Sequence, residues 1–208
     1  MKLKVCGMRE VTNIKSVLAL KPDLMGFIFY PQSKRFVEAL SLEGIDFRST
    51  QKVGVFVNEP LDSVIEKIKT FGLDYVQLHG DEPPSYLANL KYLGVKVIKV
   101  FRIKDQLPID QMSAFEQEAD YFLYDTLSHE YGGSGKRFKW NILNESPSSK
   151  PFWLSGGLSL ESLKMLNSIN HRGFIGIDVN SKFEIEPGFK NIQSIKEFKS
   201  KLNDEISG

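Results

Sequence analysis

The chain has one thiol, Cys6, in the run Lys4-Val5-Cys6-Gly7. A thiolate can take a proton from carbon if cationic or dipolar neighbours bring its pKa down from about 8.5. Lys4 and Arg9 are near in sequence. Alone, such a cysteine reads equally as a small buried hydrophobe. Asp125 closes the apolar run Tyr121-Phe122-Leu123-Tyr124. A carboxyl among apolar neighbours is expected to hold its proton to higher pH, which suits a general acid, although an aspartate in this place also caps turns. A base and an acid facing one ligand make a proton shuttle, one group taking a proton from carbon while the other gives one to oxygen. Late in the chain, Ser155-Gly156-Gly157-Leu158-Ser159 and Asp178-Val179-Asn180-Ser181 offer two turns whose backbone N–H groups can hold a phosphate dianion without a large basic cluster. A Gly-Gly pair is also simply a turn.

These residues fall at the ends of short apolar runs. Strands are expected at Leu3–Cys6, Leu24–Tyr30, Lys52–Val57, Tyr75–His79, Val95–Phe101, Tyr121–Asp125, Pro151–Ser155 and Phe174–Val179. Between and after them, helices are expected at Asn13–Leu20, Glu38–Phe47, Leu61–Phe71, Pro84–Leu93, Asp110–Glu118, Trp140–Asn144, Leu160–Ser168 and Ile192–Leu202. Leu61, Val64, Ile65, Ile68 and Phe71 form one stripe at helical spacing, with Pro60 as a start signal and Gly72 as a stop. Eight strand–helix pairs of roughly 26 residues each match the compact limit of a (β/α)₈ barrel, in one domain spanning residues 1–208. The open doubly wound sheet is the rival, and it often carries a glycine-rich first turn that is missing here. In a barrel, chemistry gathers where strands end. Read in order, those ends supply Cys6, Arg35 just beyond Tyr30, Asn58, His79, Arg102, Asp125, Gly156-Gly157 and Asp178.

Composition removes several function classes. Lys and Arg number 27 against 26 Asp and Glu, a net charge of +1, so the surplus that nucleic-acid binding needs is missing. No apolar run approaches the roughly 18–20 residues that cross a bilayer, and the start lacks the apolar stretch of a secretory signal. One cysteine cannot form an internal disulfide, so a cytoplasmic location is expected. His79, His129 and His171 with one cysteine show no metal-ligand spacing, so no metal is expected. The glycine-rich segment from Tyr131 to Phe138 lacks the order of a nucleotide-binding P-loop.

Long stretches resemble phosphoribosylanthranilate isomerase of tryptophan biosynthesis. They include Lys4-Val5-Cys6-Gly7-Met8, Gly26-Phe27-Ile28-Phe29, Ser33-Lys34-Arg35, Val53-Gly54-Val55-Phe56-Val57-Asn58 and Val76-Gln77-Leu78-His79-Gly80-Asp81-Glu82. Further matches are Tyr124-Asp125-Thr126, Gly132-Gly133-Ser134-Gly135 with Phe138 and Trp140, Ser155-Gly156-Gly157-Leu158 and Asp178-Val179-Asn180-Ser181. The resemblance implies a (β/α)₈ barrel without a cofactor. It would convert N-(5′-phosphoribosyl)anthranilate into 1-(2-carboxyphenylamino)-1-deoxyribulose 5-phosphate by an Amadori rearrangement. It further implies Cys6 as the base at C2′, Asp125 as the acid at the furanose ring oxygen, and Arg35 facing the anthranilate carboxylate. Gly156, Gly157, Asn180 and Ser181 would hold the phosphate, and His79 and Asp178 would stand near the ribose or orient the groups that do. The implied partner is this small molecule, with no nucleic acid and no membrane, for a monomer or homodimer.

Three positions depart from the family pattern: Lys139 stands between Phe138 and Trp140, Lys182 replaces a glycine after Ser181, and Asn191 replaces an aspartate. Lys182 matters most, because glycine takes positive φ more freely than lysine. Two other functions share this frame. One is a related sugar-phosphate isomerase, although such barrels generally use paired aspartates and Cys6 occupies the place of one. The other is a non-catalytic barrel that binds a phosphorylated metabolite. Loops holding Gly7 and Gly132–Gly135 are expected to act as lids.

Overall fold

The computed structural model describes residues 1–126 and 140–207. The expected lid at 132–135, the departure at Lys139 and His129 lie outside the described residues. Eight parallel strands close into a barrel in sequence order: β1 (Lys2–Val5), β2 (Leu24–Ile28), β3 (Gln51–Phe56), β4 (Tyr75–Leu78), β5 (Lys96–Ile103), β6 (Tyr121–Thr126), β7 (Phe152–Ser155) and β8 (Phe174–Val179). The open-sheet rival is thereby excluded. Pairing of β1 with β8, Lys4 opposite Asp178, closes the ring.

Strand alternation sorts the apolar residues into two layers. Leu3, Val5, Phe27, Val76 and Ile177 face outward into the main core beneath the helices. Cys6, Leu24, Val53, Val55, Tyr75, Ile98, Val100, Leu123 and Trp153 fill the barrel. Lys4, two residues from Cys6, shares its inward face.

The outer layer comprises α1 (Val11–Leu18), α2 (Leu61–Phe71), α3 (Pro84–Lys91), α4 (Ile109–Ala114), α5 (Leu163–Leu166) and α6 (Ile192–Ser207). In α2 the expected stripe buries Val64 and Phe71, and the helix ends where Gly72 turns left-handed at φ 56° and its N–H reaches back to the Ile68 carbonyl. Two expected helices are 3₁₀ turns wholly or in part, at Trp140–Glu145 and at Leu160–Ser162 ahead of α5.

The helix expected over 38–47 is absent, and turns fill the segment. Its small polar residues bond locally instead. Ser41 Oγ accepts from the Glu43 N–H, and Asp46 Oδ1 accepts from the Arg48 N–H. Such bonds offer the backbone an alternative to the helical ladder. Leu40, Leu42, Ile45 and Phe47 still pack against the core. A further hairpin, β9 (Glu184–Glu186) with β10 (Phe189–Lys190), follows β8. None of the described helices is long and apolar enough to cross a membrane.

Candidate active site

The carboxyl ends of the strands surround a cavity of about 210 Å³. Cys6, His79, Asp125, Gly156, Gly157, Asp178, Asn180 and Ser181 all line it, together with Gln77 and Lys182. A second cavity, of about 350 Å³, is walled by Leu163, Leu166, Phe174 and Leu202 and bears no ionisable side chain. Of these two cavities, only the first is lined by side chains that exchange protons.

Cys6 extends β1 by one residue, its N–H bonded to the Val179 carbonyl. It is 4% exposed. Burial pushes its thiol up, with Asp178 adding to the rise, and outweighs the downward pull of Lys4 and Lys190, so the thiol stands above its ordinary value and not below it as expected for a base. Lys4 is fully buried, and its Nζ lies 2.6 Å from Asp178 Oδ2 and interacts electrostatically with the Cys6 side chain. Burial drives the Lys4 ammonium down, but Asp178 and Cys6 outweigh it and leave it above its ordinary value. Burial likewise pushes the Asp178 carboxyl up against the pull of Lys4. The other Asp178 oxygen, Oδ1, is buried without a partner, as is Oε1 of Gln77. Both residues line the cavity, so both offer acceptors to whatever fills it.

Across the cavity His79 Nε2 stands 3.3 Å from Asp125 Oδ2, each side chain about one-quarter exposed. His79 is set by a buried support behind its loop. Glu82 Oε1 accepts from the N–H groups of Asn58 and Gly80, and Lys99 Nζ bonds Glu82 Oε2 at 2.9 Å and the Gly80 carbonyl at 2.7 Å.

At the corner expected to take a phosphate, Gly156 and Gly157 adopt φ of 86° and 66°, backbone that L side chains rarely adopt. The helix expected to open there is a 3₁₀ turn followed by the four residues of α5. Any pull on an anion thus comes from the loop N–H groups and the Lys182 ammonium, with little helix dipole. Lys182 sits in a 3₁₀ turn, Ser181–Phe183, and is absent from the positive-φ residues, so the exchange of glycine for lysine leaves the backbone unstrained there.

Arg35 stands outside the cavity lining. A turn in which its N–H bonds Ser33 Oγ carries it beside β2, and Val37 N–H then rejoins the Ile28 carbonyl. Its Nε and Nη2 grip Glu184, with Nη2 2.6 Å from Oε2. Lys190 Nζ reaches the same carboxylate, 2.6 Å from Oε1, and Asn180 Oδ1 at 2.7 Å. Lys4, Gln77, Glu184 and Lys190 were not singled out from sequence as site residues. Period-two alternation with Cys6 could have marked Lys4, and a glutamine inside the run Tyr75-Val76-Gln77-Leu78 could have marked Gln77. Nothing local marks Glu184 and Lys190, whose partners lie on other elements.

The model of the N-(5′-phosphoribosyl)anthranilate isomerase family matches residues 3–201. A relative of that name from Parabacteroides distasonis is 46% identical over 202 residues, covering 95% of this chain and 91% of its own. Another, from Phocaeicola vulgatus, is 42% identical over 208 residues, covering 99% and 100%. Among solved structures, phosphoribosyl anthranilate isomerase from Thermotoga maritima superimposes with a TM-score of 0.80 at 30% identity, covering 98% of this chain and 99% of its own. A further structure, of the isomerase in complex with reduced 1-(o-carboxyphenylamino)-1-deoxyribulose 5-phosphate, gives a TM-score of 0.77 at 27% identity, covering 98% and 99%. A strand-by-strand barrel and a sequence match spanning nearly all of it agree: the chain belongs to the N-(5′-phosphoribosyl)anthranilate isomerase family.

Proposed function

We infer that this chain converts N-(5′-phosphoribosyl)anthranilate into 1-(2-carboxyphenylamino)-1-deoxyribulose 5-phosphate, with Cys6 and Asp125 as base and acid. The observation that carries this reading is that a thiol and a carboxyl 119 positions apart in sequence line one cavity beside a glycine-lined anion corner. Asp125 gives its proton to the furanose ring oxygen as the C1′–O bond breaks, and the anthranilate nitrogen lone pair forms the C1′=N bond of a Schiff base. The Cys6 thiolate then removes the C2′ proton, and that electron pair closes C1′=C2′ while nitrogen recovers its own. The resulting enolamine becomes the ketone as C1′ gains a proton and the 2′-hydroxyl loses one. Atoms and electrons balance without any redox partner.

His79 holds one Asp125 oxygen and leaves the other for the ring oxygen. Asp178 Oδ1 and Gln77 Oε1 accept from ribose hydroxyls, and Lys4 keeps Asp178 fixed. Gly156, Gly157, Asn180 and Ser181 take the phosphate. Arg35 presents Nη1, which has no hydrogen-bond partner among the described residues, to the anthranilate carboxylate. We assign the whole chain to one barrel domain acting in the cytoplasm as a monomer or homodimer. A 26%-identical Thermotoga maritima neighbour, TM-score 0.77, is described as monomers generated from a dimeric enzyme.

The test follows the loss of substrate fluorescence. Cys6→Ala and Asp125→Ala are each expected to lower kcat by about 10²–10⁴-fold, the usual contribution of a general acid or base, with the fold intact by circular dichroism. Rates within threefold of the parent would remove these roles. Turnover of another phosphorylated aminoaldose in preference to this one would move the chain to the related isomerases.

A further inference from the structure

We propose that Lys190 determines specificity for a carboxylate-bearing substrate: by sharing Glu184 with Arg35, it leaves this corner of the site with one uncompensated positive charge. The inference rests on the assignment of Arg35 to the substrate carboxylate.

Taken as a pair, Arg35 and Glu184 would be neutral, and a carboxylate arriving at Nη1 would meet no net positive charge. Lys190 changes that balance. Its head group is fully buried, and both of its close neighbours are acceptors, Glu184 Oε1 at 2.6 Å and Asn180 Oδ1 at 2.7 Å. Burial pulls the Lys190 ammonium below its ordinary value, while the hydrogen bond and charge of Glu184 oppose that fall and keep the proton in place. Burial pushes the Glu184 carboxyl up, but hydrogen bonds from Arg35 and Lys190 outweigh it and hold it below its ordinary range, so Glu184 is ionised. Two cations therefore face one anion. Glu184 is 4% exposed and Lys190 not at all, whereas Arg35 is 21% exposed. The surplus charge is presented to a ligand only through the Arg35 guanidinium.

The position of Lys190 is fixed by the barrel wall. Its backbone N–H and carbonyl are both bonded to the side chain of Asn13, at 2.7 and 2.9 Å, and Asn13 is itself buried in α1. Gly188 N–H adds a third donor to Glu184 Oε1, at 3.1 Å. The other charges close by are paired: Lys4 with Asp178 at 2.6 Å, and Arg9, which packs against Gly188, with Glu10 at 3.9 Å. Lys190 touches no substrate in this scheme and acts through Glu184.

Calorimetry with the intact chain separates this role from a structural one. The probes are reduced 1-(2-carboxyphenylamino)-1-deoxyribulose 5-phosphate and the same molecule without its ring carboxylate. The readout is the ratio of their dissociation constants, the preference for the carboxylate. Lys190→Met is expected to cut that preference about tenfold or more, the order expected for a lost partly buried charge. Lys190→Arg should keep it within about threefold, because the charge remains. Glu184→Gln adds a unit of positive charge and should raise it. An unchanged preference in Lys190→Met, including equal weakening of both probes through the released Asn180, overturns the proposal. Should Lys190→Met fail to fold, a preference that stays level or falls in Glu184→Gln overturns it equally. Arg35→Met tests the assignment beneath: if its preference matches the parent, Arg35 is not the carboxylate site. If that preference is abolished while Lys190→Met leaves it unchanged, only the role of Lys190 fails.

Discussion

Lys4→Met removes one half of a buried ion pair. With Lys4 wholly buried, Asp178 5% exposed and 2.6 Å between Nζ and Oδ2, the variant strands a carboxylate in the barrel. Breaking such a pair costs about 3–5 kcal/mol, against about 0–1 kcal/mol for an exposed one. For a chain of this size that is a loss of roughly 6–20 °C in Tm. Asp178→Asn should cost a similar amount by stranding the ammonium. The double variant Lys4→Met/Asp178→Asn leaves no charge behind, so its cost should fall well short of the sum, with a coupling of about 2 kcal/mol or more. Urea denaturation of the four proteins, followed by fluorescence of the buried Trp140 and Trp153, measures the cycle. The Cys6 thiol gives a second, independent sign. Lys4 pulls its pKa down and Asp178 pushes it up, so alkylation of this sole cysteine should shift to higher pH in Lys4→Met and to lower pH in Asp178→Asn. A shift of about one unit corresponds to about 1.4 kcal/mol. Additive costs, or singles that each lose less than about 1 kcal/mol, would refute the buried pair. Shifts of the same sign would refute its link to Cys6.

Gly26→Ala would set a Cβ 2.7 Å from Cys6 Sγ and 3.1 Å from the Cys6 Cα, forcing Cys6 aside, so with Cys6 as the proposed base kcat should fall about a hundredfold with the secondary structure retained. An unaltered kcat would show that Cys6 is not positioned by this contact. His79→Asn removes the group 3.3 Å from Asp125 Oδ2, and kcat should fall about ten- to a hundredfold while KM moves less; a change confined to KM would remove His79 from the acid's support. The raised Cys6 thiol makes stability depend on pH. Below about 8.5 both states hold the proton and the contribution is complete. As pH rises through the higher folded value the unfolded chain has already ionised, so stability is lost. Denaturation of the parent should show that loss and Cys6→Ala should not; parallel curves would contradict it.

The eight strands were legible because each is a short apolar run, and a strand covered on both sides carries little else. Helix α2 was legible to the residue, since its stripe, its proline entry and its glycine exit all agree. Residues 38–47 misled because Leu40, Leu42, Ile45 and Phe47 supply enough apolar surface for a helix, while the turn bonds of Ser41 and Asp46 show only in coordinates. At the site, Cys6, Asp125 and the Gly156-Gly157 and Asn180-Ser181 turns could be found from strand ends alone. The partners that tune them could not. Lys4 meets Asp178 across 174 residues, and Lys190 meets Asn13 across 177. Such pairings follow from closing the ring, which no window of sequence contains.

That closure has a consequence for synthesis. The seam between β1 and β8 runs through the reaction centre, and three further stitches cross it: Cys6 N–H to the Val179 carbonyl, Asn13 to Lys190, and Lys199 Nζ to the Leu20 and Lys21 carbonyls. A chain emerging from the ribosome carries Cys6 out well before Asp178, Val179 and Lys190, so the thiol acquires these neighbours only after the eighth strand is made. A nascent barrel short of its eighth strand lacks Asp178, the partner of Lys4, and the Asn180-Ser181 wall, so the cavity is complete only when the last strand has joined the first.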